Sequence, residues 1–207
     1  MRNPRPTIAI VGAAISASLS IILQILPPLF LTPFFMRIDF VAVPWILCWM
    51  IFGLPAALLS MAISIPLVGL IGPFAGGWPG AVMKSAASIW MFLIPDIIQY
   101  LLRDKDILES KGLFVGVSIL AILVRDIVTV FFNLYIGIPF FFQMTPGEVI
   151  EFFSTPKFQS FLGLSLGLTG IVALIGEVAF WNTVQGIIDL YTSLGIGLAL
   201  RKRIQKP

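Results

Sequence analysis

From Thr7 to Leu26 the chain reads TIAIVGAAISASLSIILQIL, a run without a single charge that follows Arg2 and Arg5 and stops at Pro27-Pro28. A bilayer crossing takes about 20 mostly apolar residues. Two prolines end a helix because they lack the N–H and clash with the turn before them. The run therefore reads as a transmembrane helix, and it is longer than the apolar segment of a cleaved signal peptide. The rest of the chain has the same character. Of 207 residues, 58% are hydrophobic and 11% charged, with mean hydropathy +1.03, where a soluble domain carries about 25% charged residues. An ordinary soluble fold is excluded, and there is room for roughly six or seven crossings. The reading is one integral-membrane domain, residues 1–207, with no separate soluble module.

Asp39 to Phe52 and Pro55 to Ile71 are two further apolar runs, parted only by Gly53-Leu54-Pro55, and predict a tight helical hairpin. The stretch Pro27 to Arg37 and the Gly72-to-Gly80 cluster read as loops. Ala81 to Leu102 predicts a fourth helix interrupted by Pro95, closed by the charged stretch Arg103 to Lys111. Leu113 to Ile136 predicts a fifth. Phe161 to Leu200 is apolar for about twice the length that one crossing needs. Two crossings there would put the terminal basic clusters on opposite sides, against the positive-inside rule. Six crossings are therefore expected, the last over Ala179 to Leu200, with Phe161 to Gly176 a half-inserted segment broken at Gly176-Glu177. Both termini then face the cytoplasm, with nine of the 13 basic residues on that side. In the long outer loop, Thr145-Pro146-Gly147-Glu148 has the form of a capping box and predicts a short helix through Phe153. Phe152 and Phe153 read as interfacial anchors or as a lid.

The excess of 13 Lys+Arg over 10 Asp+Glu lies mostly at segment ends and is no nucleic-acid footprint. The chain has no histidine, which excludes imidazole metal sites and histidine-base catalysis. Cys48 is the only cysteine, so an internal disulfide is excluded as well. No carboxylate cluster with metal-binding spacing stands at one depth. No catalytic or metal residue is expected.

Ionisable residues inside a membrane need partners or a wet cavity, because a charge at the bilayer centre costs about 2.5–3.5 kcal/mol on insertion scales. Arg125 and Asp189 fall at matching depths, about 16 and 15 Å below the outer ends of their helices. They predict an ion pair, with Asp126 a competing partner. Asp96 has no evident mate. Asn182, Gln185 and Asp189 recur at i, i+3, i+7, as do Asp126, Thr129 and Asn133, so each helix carries one polar stripe. Facing stripes make a polar cleft whose amides suit a neutral ligand with imide or amide edges. Trp45, Trp78 and Trp181 offer faces for a planar ring. Interhelical hydrogen bonding without any ligand accounts for the same spacing. Ala9, Ala13 and Ala17 give the first helix a smooth face, suited either to an outside partner or to the chain's own bundle.

Three stretches together resemble the substrate-binding S-component of energy-coupling-factor vitamin transporters, riboflavin type. Arg37-Ile38-Asp39-Phe40-Val41-Ala42-Val43-Pro44 is similar to that family's basic-x-Asp-Phe-x-x-x-Pro start of the second helix. Asn133-Leu134-Tyr135 followed by Pro139 is similar to its Asn-aromatic and Pro pattern at the end of the fifth. Phe180-Trp181-Asn182-Thr183-Val184-Gln185-Gly186 is similar to its Pro-Phe-Asn-x-x-Lys-Gly, with Gln185 where the family has lysine and Phe180 where it has proline. The resemblance implies an all-α bundle of six transmembrane helices in a prokaryotic plasma membrane. Such a bundle captures riboflavin from outside and docks on a transmembrane coupling protein driven by two ATPases. It also implies that Asn133 and Asn182 bind the isoalloxazine edge and that Ala9, Ala13 and Ala17 form the docking face. The candidate ligand set is Asn133, Asn182, Gln185, Asp39, Trp45, Lys84 and Trp181. The chain has no Walker motif, so uphill transport requires a partner's ATPase. Another planar vitamin or a nucleobase-like precursor as ligand, or a non-catalytic membrane assembly protein, are the alternatives.

Overall fold

The computed structural model describes residues 5–32, 36–71, 77–102, 106–155 and 167–204. Helix α1, Pro6–Ile25, opens with a proline in its first turn and ends one residue before Pro27. A two-residue hairpin follows, β1 (Phe30–Leu31) pairing antiparallel with β2 (Arg37–Ile38). The remaining helices are α2 (Val43–Phe52), α3 (Leu54–Ile71), α4 (Gly77–Ser88), α5 (Trp90–Leu102), α6 (Lys111–Phe132), α7 (Ile138–Phe142), α8 (Pro146–Phe152) and α9 (Gly170–Ile204).

Five helical runs are long and apolar enough to cross a bilayer: α1, α3, α4 with α5, α6 through α7, and Gly170–Leu200 of α9. The second expected crossing is different. Helix does not begin at Asp39 but at Val43, because Asp39 Oδ1 accepts the Val41 N–H in a side-chain turn and Pro44 sits in the first helical turn. With ten residues, α2 is about 15 Å long, half the hydrocarbon thickness. It is apolar on all sides because it is enclosed on all sides, packing against α1, α3, α5 and α9. Non-helical backbone at such a place is tolerated only where protein covers it or a cavity adjoins it. That constraint positions the site.

Four other expectations are corrected. The Gly77-to-Gly80 part of the expected loop is helical, since α4 starts at Gly77, whose φ is +61°. The rest of that loop, residues 72–76, lies outside the described residues. The break in the fourth span falls at Ile89, not at Pro95. Pro95 is accommodated inside α5, Trp90–Leu102. The fifth span does not end at Ile136. It widens into a π-turn, Asn133–Gly137, and continues through Pro139 to Phe142. The π-turn lengthens the loop of each hydrogen bond, so Ile138 N–H reaches Asn133 O. Finally, α9 runs unbroken through Gly176-Glu177, because Gly176 sits inside a long helix with Leu168 against it and a single glycine costs too little to end one. The first part of the segment expected to be half-inserted, residues 161–166, lies outside the described residues.

Two apolar cores result. The larger gathers Trp45, Ile46, Trp49, Met91, Phe92, Ala121 and Leu190. The smaller seats α8 on the bundle: Val149 and Phe153 pack with Leu134, Ile138, Ala173, Leu174 and Val178. Phe153 is fully buried there and is no interfacial anchor. The capping box that starts α8 is complete, with Thr145 Oγ1 accepting Glu148 N–H and the Glu148 carboxylate accepting Thr145 N–H at 2.7 Å. Those bonds hold the Glu148 carboxyl below the usual glutamate range.

The alanine face of α1 turns inward. Ala13 and Ala17 are 0% and 1% exposed and Ala9 lies against the larger core. A Cβ on Gly12 would collide with the Phe52 ring. Small residues let α1 approach α2 and α3 closely, so Ala13 and Ala17 are the bundle's own contact and are covered, while Ala9 is partly buried. The outward face of α1 is aliphatic instead: Ile8, Val11, Ile15, Leu19 and Ile22 are about half exposed.

Candidate functional site

A cavity of about 390 Å³ lies between the two cores. Its walls come from the end of α1, the non-helical stretch after β1, α4, α6, the π-turn, α7 and α9. Its volume is in the range of about 300–1,000 Å³ usual for small-molecule sites. Its lining includes Asp39, Lys84, Asn133, Trp181, Asn182 and Gln185, together with Arg125 and Asp189. Six of the seven candidate ligand residues, drawn from four separate elements, thus border one space.

Trp45 does not. It is 1% exposed in the larger core, and its indole N–H donates to Ser64 Oγ at 2.8 Å. A tryptophan at the third position of an enclosed helix has no route to the cavity. Trp78 is likewise elsewhere, lying over Gly69 of α3. Asp96 is not without a mate, since the Trp49 indole N–H donates to its Oδ1 at 2.8 Å.

The floor is a connected polar network. Gln185 holds the buried, non-helical peptide of Asp39 with both halves of its amide: Oε1 accepts Asp39 N–H at 3.0 Å and Nε2 donates to Asp39 O at 2.7 Å. This satisfies the backbone that the late start of α2 leaves open. Gln185 Nε2 also donates to Asp189 Oδ1 at 2.7 Å. Asp189 Oδ2 pairs with Arg125 Nη1 at 3.1 Å, and Arg125 Nε donates to Asn182 Oδ1 at 3.3 Å. Asp126, the rival partner, instead accepts from Thr183 Oγ1 at 2.7 Å. On the other side of Asp39, Lys84 Nζ contacts Oδ2 and Arg37 Nε approaches the same oxygen to 3.6 Å.

Above the floor the surroundings change. The Asn133 amide donates to Thr129 O at 2.8 Å, and its Oδ1 has no partner among the described residues. The π-turn carries Asn133 and, by shifting the register of the helix after it, aims Ile138, Phe141 and Phe142 at the same space. Trp181 donates its indole N–H to Glu177 Oε1 at 2.7 Å and packs edge-on against Phe180 and Phe30. The arrangement is an aromatic-walled slot over a charged floor, suited to a ligand with a flat body and a polar end.

Two floor residues escape the sequence reading. Gln24 is a lone amide in the last turn of the apolar α1, a position where lipid-facing sequence has no use for one, and that was the available signal. Arg37 is visible only as part of a motif; its buried position follows from the β-hairpin.

No family model matches the chain, and no curated protein matches it. Among solved structures, the S component of a bacterial energy-coupling-factor transporter shares the fold, with a TM-score of 0.69 over 98% of this chain and 100% of that one, at 17% sequence identity. The chain therefore has the S-component fold, and its long apolar helices are those of a multi-pass membrane protein.

Proposed function

With the S-component fold as premise, we propose that the chain is the substrate-binding subunit of an energy-coupling-factor uptake transporter and that its ligand is a flat vitamin, riboflavin first. The observation that carries this is the cavity: Asn133, on the π-turn, and Trp181 and Asn182, about 50 residues later on α9, border one slot of about 390 Å³. Amides supply donors and acceptors for an imide edge, and the aromatic walls cover a ring system. In this reading the α8 end faces outward, the basic chain ends face the cytoplasm, and a coupling protein with two ATPases supplies the energy. Ala13 and Ala17 of α1 are not part of the docking surface, because they are buried.

The test is direct. Protein purified in detergent is expected to quench riboflavin fluorescence on titration, or to be isolated yellow. Asn133→Ala and Asn182→Ala are expected to weaken binding at least about tenfold each, equivalent to about 1.4 kcal/mol. Parent-like binding by both variants would remove the ligand from this cavity.

A further inference from the structure

The floor of the cavity holds buried donors with nothing to donate to. Gln24 is 1% exposed and Arg37 7% exposed, and both line the cavity. Gln24 Nε2 and Arg37 Nη1 have no hydrogen-bond partner among the described residues. Neither group is free to turn away. Lys84 Nζ donates to Gln24 Oε1 at 3.4 Å, and an ammonium can only donate, so the amide oxygen must face Lys84 and the NH₂ must face the other way. Arg37 is fixed by the end of α1, where its Nη2 donates to Leu26 O at 2.8 Å and Gln24 O at 3.3 Å. Those carbonyls are the open acceptors of a helix C-terminus, which favours a cation there.

Charge adds a second, independent observation. Arg125 is matched by Asp189. Arg37 and Lys84, however, share Asp39 alone. The cavity as a whole is lined by three cations and three carboxylates, Asp39, Asp189 and Glu177; Asp189 pairs with Arg125 and Glu177 accepts the Trp181 indole N–H, so on the Gln24 side two cations meet the single carboxylate of Asp39.

Building on the reading of this cavity as the ligand site, and narrowing its first ligand from riboflavin itself to an acidic flat molecule such as the riboflavin phosphate, we propose that Gln24, Arg37 and Lys84 form a subsite for an anionic oxygen group, so that the transported ligand is an acid whose carboxylate or phosphate seats on the cavity floor. An anion there satisfies the orphaned donors and the unmatched charge together. A neutral carbonyl satisfies only the donors.

Matched pairs test this with the full chain in detergent. Flavin mononucleotide and riboflavin are titrated by fluorescence quenching. Nicotinate with nicotinamide, and biotin with biotin amide, are titrated by calorimetry. The acid of the scaffold that binds is expected to bind at least about tenfold more tightly than its uncharged partner, the usual advantage of a charge-assisted contact. Gln24→Glu keeps the shape and the acceptor for Lys84 but puts a carboxylate where the donor was. It is expected to weaken the acid at least about tenfold more than it weakens the uncharged partner. Arg37→Gln is expected to act in the same sense, and circular dichroism of both variants confirms that they fold. Equal binding of acid and uncharged partner, equal weakening of both by Gln24→Glu, or binding by no acid in the panel would overturn the subsite. If riboflavin binds as tightly as its phosphate, the subsite falls and the flavin reading stands; if nicotinate or biotin binds and neither flavin does, the flavin reading falls and the subsite stands.

Discussion

Removing either member of the Arg125–Asp189 pair should destabilise the chain severely, and removing both should cost much less than the two losses added. The pair is separated by 3.1 Å, and the two side chains are 3% and 0% exposed. At an effective dielectric of about 20, that separation corresponds to about 5 kcal/mol of attraction. In Arg125→Met, Asp189 keeps only the Gln185 N–H and a buried charge; in Asp189→Leu, Arg125 keeps Asn182 Oδ1 as a hydrogen-bond acceptor and the attraction of the neighbouring Asp126 carboxylate. Each single variant is expected to lose about 3–5 kcal/mol, the usual cost of an uncompensated buried ion. The double variant removes both charges. It leaves Gln185 Nε2 without Asp189 and Asn182 Oδ1 without Arg125, at about 1–3 kcal/mol each. With central values the cycle should show a coupling of about 4 kcal/mol, well beyond the roughly 0.5 kcal/mol scatter of independent sites. Reversible unfolding of the detergent-solubilised protein in graded denaturant, followed by tryptophan fluorescence, measures all four forms. Single variants within about 1 kcal/mol of the parent, or losses that simply add, would mean that the two groups are solvated and that the floor network does not hold the bundle together.

Ala13→Leu is expected to lower stability by about 1–3 kcal/mol through overpacking against α2 and α3, while Ala14→Leu, on the exposed face of α1, stays within about 0.5 kcal/mol; thermal unfolding separates them, and equal effects would contradict the inward assignment. Trp49→Phe deletes the donor to Asp96 Oδ1 and should cost about 1–3 kcal/mol by the same measurement, an unchanged melting curve being the contrary result. Thr145→Ala removes the N-cap of α8 and is expected to cost about 1 kcal/mol of local stability, read as faster amide exchange in residues 146–152; exchange that does not change would show the box to be idle. The Glu148 carboxyl titrates below its ordinary value because Thr145 N–H and Oγ1 bond the ionised form. Its contribution to α8 is therefore present above the ordinary glutamate pKa and lost as pH falls through the lowered one, so acid should speed exchange in α8 of the parent, and less so in Thr145→Ala, which keeps the backbone N–H to the carboxylate and loses only the hydroxyl.

The alanine stripe of α1 shows where sequence spacing stops being informative. A row of small side chains says that something approaches closely, but a partner protein and the chain's own α2 and α3 place the same demand on the sequence. Only the fold shows that the neighbour is Phe52 and its helix. Trp45 teaches the same lesson. Its ring suits a ligand, yet α2 is enclosed, and the indole N–H is spoken for by Ser64.

Other features were legible because their causes are local. Runs of apolar residues broken by proline and glycine set the positions of the long helices, since a bilayer demands length and internal hydrogen bonding from each segment alone. The capping box needs only four consecutive residues. The polar stripes of α6 and α9 follow from the 3.6-residue period, which places Asn133, Asn182, Gln185 and Asp189 on defined faces before any packing is known. The tertiary structure decided what those faces meet. That α2 begins late and leaves the Asp39 peptide for Gln185 to bind, that Arg37 caps α1 and shares Asp39 with Lys84, and that α9 runs on through Gly176-Glu177 depend on contacts between segments as many as 146 residues apart. No local pattern encodes them, because a buried amide or ion is settled by whichever complementary group the fold brings within reach.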